Sequence, residues 1–202
     1  GIGLPMGDSA IRSADREPAD RRVAVSLAAG LVAPESPLTE RANVVNESEL
    51  STFDERRLRS AFLVTDDTPV TVELDGGPVA DTGETGDGTT IRRLVIVEER
   101  SSETIEPALG WRRTVTLPHR GYRATLTLTP PAETNVTTVR ANDRVVLHDE
   151  SGLSGSYEIS LSRFETTTLR FSADGPLPRG SVEIEYGAIR SRKATLAVTA
   201  DG

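Results

Sequence analysis

The nearest approach to a hydrolytic motif in this chain is the run HDESGLSGS, from His148 to Ser156. A nucleophile elbow needs glycine, any residue, serine, any residue, glycine, so that the serine hydroxyl stands clear on a tight strand-to-helix turn. Gly152, Leu153 and Ser154 begin that pattern, but Gly155 and Ser156 follow in the wrong order, and the elbow is absent. His148 is therefore expected at a surface strand end, and His119, in the turn-like LPHRGYR, likewise. Paired carboxylates offer another route to hydrolysis. Glu183 and Glu185 would stand about 7 Å apart on one strand face, not far from the separation of glycosidase acids. However, Trp111 is the only tryptophan and Tyr122, Tyr157 and Tyr186 are scattered, so nothing supplies a sugar-cleaving cleft. The neighbours Asp66 and Asp67, Glu98 and Glu99, and Asp149 and Glu150 would point to opposite faces of a strand. The sequence gives no reason to expect an enzyme.

Metal and cofactor motifs fail in similar ways. Two distant histidines and no cysteine exclude the common zinc arrangements. The loop DTGETGDG from Asp81 lacks the acidic spacing of a calcium loop and reads as a solvated turn. Met6 stands where the third glycine of a dinucleotide fingerprint would be, so GIGLPMG binds no nucleotide by that motif. No cofactor and no metal are expected.

The elements that would position any site fall into two parts. From Glu17 to Val32, Ala19, Val23, Leu27 and Leu31 form a stripe of helical period with Ala24 and Ala28 beside it. A second helix is expected from about Glu47 to Phe62, started by Asn46 or Ser48 and turning Leu50, Phe53, Leu58 and Phe62 inward. After Val64 the period changes to two. About ten strands follow, between Val70 and Thr199, among them RATLTLT and SVEIEY, in which apolar and polar residues alternate cleanly. The expected fold is mainly β: an antiparallel β-sandwich of jelly-roll or immunoglobulin-like kind preceded by two short α-helices. The organisation expected is an N-terminal strand over 1–14, a helical part over 15–64 packed on the sandwich, and the sandwich itself over 65–202.

Composition narrows the partners. A chain of 202 residues supports one substantial core. Thirty-one acidic against 23 basic residues, a net charge of −8, disfavours nucleic acid, which needs a basic surface. No apolar run approaches the length of a membrane span. Lys193 is the only lysine among the basic residues. Acid excess, near absence of lysine, abundant threonine and no cysteine together resemble secreted and surface proteins of salt-loving archaea, in which carboxylates keep a surface hydrated where salt screens charge.

The remaining signal is the N-terminal GIGLPMG, in which Ile2, Leu4 and Met6 alternate with glycine and proline. As a strand this places three apolar side chains on one face, and such a strip fits a donor strand inserted at the sheet edge of a neighbouring copy. Ile2, Leu4 and Met6 are then the subunit-interface residues. In the bland reading the strip pairs within its own domain. Together with the β-rich body and the composition, this peptide resembles secreted archaeal thread and bundling-pilus subunits, which are sandwich proteins joined by donor strands. The resemblance implies a structural subunit of an extracellular filament or cell-surface layer, polymerised with copies of itself. One alternative is a pilin-like or membrane-anchored surface protein truncated of the apolar N-terminal helix that forms the filament core in that family, a role for which the Glu17 to Val32 helix is too charged. Another is an extracellular binding or adhesion module. The sequons at Asn46 and Asn135 permit glycans on a secreted, cell-surface protein.

Overall fold

The computed structural model describes residues 5–202, with side chains from Glu17 onward. Helix α1 spans Pro5–Leu31, followed by β1 (Thr39–Arg41), β2 (Val44–Asn46), α2 (Glu47–Ser51), α3 (Glu55–Ala61) and a single 3-10 turn at Leu63–Thr65. The rest is strand: β3 (Val70–Leu74), β4 (Gly77–Asp81), β5 (Thr89–Ile105), β6 (Thr114–Thr116), β7 (Arg120–Leu128), β8 (Val136–Ala141), β9 (Arg144–His148), β10 (Gly155–Ser160), β11 (Thr168–Ala173) and β12 (Val182–Ala200). The protein is mainly β, and its residues divide into two compact units. One takes the chain up to Glu99 and again from Ser191 to Gly202, and the other takes Arg100–Arg190, so β5 and β12 contribute to both.

In the first unit, strands run in the order β1-β2-β5-β12-β3-β4. This sheet is mixed rather than antiparallel as expected, because β2 lies parallel to β5 with Val44 opposite Ile96. Helix α1 covers it. Ala24, Leu27, Ala28 and Leu31 recur at i, i+3, i+4 and i+7, all at most 1% exposed, and share one core with Val70, Val72, Val95, Val97, Leu196 and Val198. Glycine at position 30 weakens the helix by about 1 kcal/mol relative to alanine. A Cβ there would stand 2.8 Å from the Phe62 ring, so its absence lets Phe62 close on α1.

The second unit places two antiparallel sheets around another core. One consists of β10, β7 and the first half of β12, with Tyr157 opposite Leu126 and Leu126 opposite Ile184. The other has the order β6-β11-β8-β9. Leu126, Leu128, Ile184 and Tyr186 from the first meet Val136, Val139, Leu169 and Phe171 from the second. This is the sandwich-like part, and the alternation in RATLTLT and SVEIEY does what the sequence predicts: Ala124, Leu126 and Leu128 are buried while Thr125 and Thr127 are not.

Several expectations need correcting. The predicted strand over 1–14 is helical from Pro5 onward, and α1 therefore begins well before Glu17. Proline fits the first helical position, where no N–H is required, and the helix continues through Pro18, which leaves the Ala14 carbonyl without its intrahelical bond and crowds it with the ring. Ala19, predicted on the buried stripe, is exposed, and Asp20 takes the buried place. The predicted helix over 47–62 breaks into α2 and α3, because Asp54 adopts an extended backbone and accepts a hydrogen bond from Arg57 N, starting a new helix. The predicted β-rich segment 65–202 is shared by both units rather than forming one body.

Candidate functional site

Most residues singled out from sequence stay apart. Ile2 and Leu4 lie outside the described residues, and Met6 belongs to the helical backbone of α1 rather than to a strand. His148 ends β9, where its Nδ1 is 2.9 Å from the Thr138 hydroxyl. Ser154 donates its backbone N–H to the Tyr157 hydroxyl, and Ser156 meets Thr127 across the strands, so neither serine pairs with a histidine. The carboxylate of Asp149 is held below its usual range by hydrogen bonds from the Ser151 side chain and N–H. Glu183 and Glu185 are exposed on β12, opposite Thr127 and Thr125. In the loop after β4, Thr82 and Thr85 bind back to Val70 N and Thr71. Among the described residues, no group of three or more His, Asp and Glu could hold a metal ion.

The sequons differ in what their amides do. Asn46 caps α2: its Oδ1 accepts from Ser48 N at 2.8 Å and Glu49 N at 3.2 Å, while its Nδ2 donates to Glu40. Asn135 is half-buried, and its side-chain oxygen sits where a Cβ on Gly152 would be.

The second unit holds a polar constellation that no local motif announces. At the far end of β5, Glu103 Oε1 accepts from Arg190 at 2.6 Å. Its Oε2 accepts from the Tyr186 hydroxyl at 3.0 Å and lies 3.1 Å from His119 Nδ1. A carboxylate offers acceptors only, so His119 carries its proton on Nδ1. The His119 backbone N–H in turn donates to the Tyr186 hydroxyl at 3.3 Å. Arg190 is the main reason that the Glu103 carboxyl is held below the ordinary carboxylate range, and burial is the main reason that the Tyr186 phenol is pushed up. Tyr186 is almost wholly buried, and this arrangement satisfies its hydroxyl. Chemically the cluster fixes charge and orientation: every polar atom of Glu103 is engaged inward, which suits a structural tie between β5, β12 and the turn before β7. Beside it, Tyr122 packs over Gly187, where a Cβ would come within 2.4 Å of the ring, and the Arg100 guanidinium lies 5.3 Å from the Tyr122 centroid.

In the first unit, the buried polar groups tie α1 and the sheet edge. Asp20, 7% exposed, accepts the N–H of Gly202 at 2.9 Å. Glu98, 4% exposed, accepts from Arg41 at 2.8 Å, while its neighbour Glu99 is exposed. The opposite side of α1 presents Pro18, Arg21, Arg22, Val25 and Ser26 as a shallow exposed surface.

A helix seated on a mixed sheet, together with a second unit of two sheets, makes this a β-rich protein. No helix among the described residues is long and apolar enough to cross a membrane. The chain belongs to the family of unknown function DUF7263, whose model matches residues 1–201. No curated protein matches the sequence. Among solved structures, the chain is similar to a periplasmic lysozyme inhibitor of g-type lysozyme, PliG from Aeromonas hydrophila, at 9% identity over 59% of this chain and 92% of that one, with a TM-score of 0.18. At that score nothing is carried across.

Proposed function

We propose that the protein is a structural subunit of an extracellular filament or cell-surface assembly, polymerised with copies of itself, and that α1 rather than an inserted strand carries contact between subunits. The observation behind it is the seating of α1: its inner stripe is buried from Asp20 to Leu31, while the same helix runs ahead of Glu17 by twelve further residues. A helix of 27 residues is about 40 Å long, long enough to offer a neighbour an extended face. On its outer side Val25 is 40% exposed and, with Pro18, forms an apolar strip between Arg21 and Arg22. Such a strip fits side chains of a neighbouring helix. The tightly seated inner face and the polar ties of both units suit a body that transmits load rather than one that opens around a substrate. Secretion, with glycan carried at Asn135 rather than at the amide-engaged Asn46, belongs to the same proposal.

The test is electron microscopy of the assembled protein with Val25→Asp, using Leu63→Asp as a control on another exposed apolar residue of the first unit. An unpaired carboxylate buried at an apolar contact costs several kcal/mol. Loss of filaments in Val25→Asp alone is expected. Filaments of unchanged form in Val25→Asp, or none in the unaltered protein, would overturn the reading.

A further inference from the structure

We infer that the two outer faces of the second unit recognise each other between copies: the arginine face that carries Trp111 docks on the glutamate face of a second copy. The inference rests on the self-assembly proposed above but not on α1.

The arginine face is built at a cost. Arg140 on β8 and Arg170 on β11 are register partners, so their guanidinium groups stand side by side on the outward surface, an arrangement that is destabilising in itself. Asp143 meets Arg170 at 3.5 Å, and among the described residues Arg112 and Arg140 have no ion pair. Thr114 on β6 lies opposite Arg170, which brings the preceding loop to the same edge. That loop presents Trp111, 71% exposed, with the Arg113 guanidinium 5.4 Å from the ring centroid. It is held firmly. Gly110 and Leu177 exchange backbone hydrogen bonds at 2.8 and 3.0 Å, and Phe171 N donates to Arg113 O at 2.8 Å. Arg113 sits at φ 55, a left-handed conformation that costs a non-glycine residue free energy, and its Nε is buried without a partner. A chain of net charge −8 thus maintains a rigid, exposed tryptophan within a basic enclave. Tryptophan and arginine are the side chains that most often dominate protein contacts.

The complement is on the other sheet of the same unit. Glu158 and Glu185 flank Thr125 in one row, and Glu183 flanks Thr127 in the next, all three glutamates being exposed. Arg123, 3.9 Å from Glu158, offsets one charge. Because the inner faces of the two sheets share one core, their outer faces point away from each other. A contact between one face and the other is therefore heterologous. It cannot close within a dimer and instead propagates from copy to copy, the property a filament needs.

A charge swap tests this. In Arg140→Glu/Arg170→Glu both outer faces are acidic, and in Glu183→Arg/Glu185→Arg both are basic, whereas a mixture of the two proteins restores complementary faces at every contact. Association is followed by sedimentation and by Trp111 emission, at salt concentrations where circular dichroism shows the fold intact. The unaltered protein is expected to associate progressively, with a blue shift as Trp111 is buried. Each charge-swapped protein alone should associate roughly tenfold more weakly or worse, and the mixture should recover. A monomeric unaltered protein, a discrete dimer, unimpaired association of either variant, or folded variants that fail to recover on mixing would overturn the inference. Trp111 emission reports this contact alone: in Val25→Asp, which is expected to lose filaments, the blue shift and its loss on charge swap should persist, so failure of the α1 contact and failure of this one read separately.

Discussion

Replacing Glu103 by glutamine keeps the side chain's shape and removes the charge shared by three donors. In the folded protein Oε1 accepts from Arg190 at 2.6 Å, and Oε2 meets the Tyr186 hydroxyl at 3.0 Å and His119 Nδ1 at 3.1 Å. A glutamine offers one oxygen and one NH2 group, so at least one donor faces another donor. Hydrogen bonds to a charged group each contribute roughly 1.5–3 kcal/mol. Glu103 is one-fifth exposed and Arg190 about half, so water recovers part of the loss and a net destabilisation of about 2 kcal/mol is expected. The pH dependence follows from the lowered carboxyl. A group whose folded pKa lies below its unfolded one contributes stability that is fully present above the unfolded value and is lost as pH falls through the folded value. The difference between Glu103→Gln and the unaltered protein should therefore be constant above about pH 5 and narrow on further acidification. Urea unfolding followed by Trp111 fluorescence measures it, since Trp111 and Glu103 lie in the same unit. Equal stability at neutral pH, or a gap that never narrows before the acid transition, would refute the reasoning.

Three further outcomes are expected. Leu27→Ala opens a cavity beneath α1 and should cost about 3 kcal/mol, read as a lower urea midpoint for the first unit and faster amide exchange in α1. Asn46→Ala removes the α2 cap and should cost about 1 kcal/mol; a change within error by chemical denaturation would mean that the α2 cap contributes nothing. If the composition reflects a salt-loving source, lowering salt from molar to millimolar should lower the melting temperature through repulsion among the 31 acidic residues, and a salt-independent melt would contradict it.

The parts legible in the sequence were those governed by local periodicity. Val70–Leu74 is a strand with the bounds its alternation predicts, and the buried set of β7 and the first half of β12 follows from every second residue being apolar. Where tertiary contacts override local signals, sequence reading went astray. Gly187 lies within β12 with Tyr122 packed over it, so the strand that begins in SVEIEY runs on to Ala200. Strands β1 and β2 have three residues each, too short for any period to show, and the parallel pairing of β2 with β5 depends on residues some fifty positions apart. Asp20 lies on α1 where a small apolar residue would continue the stripe, and its burial is explained by the N–H of Gly202 at the other end of the chain. The Glu103 cluster joins residues 16 to 87 positions apart, and its members read singly as ordinary surface residues.

The central claim is that α1 carries contact between subunits, and the chain offers a clean way to measure it because it contains no cysteine. Cysteines placed at Arg22 and Val25 on the exposed side of α1, in the assembled protein treated with a short bis-maleimide, report directly on whether neighbouring helices approach one another. A covalent dimer from a single cysteine at either position, and a ladder of multimers from both in one chain, is predicted, with no dimer from a cysteine at Leu63. Monomers alone from the α1 positions, in filaments seen to be intact, would contradict the account.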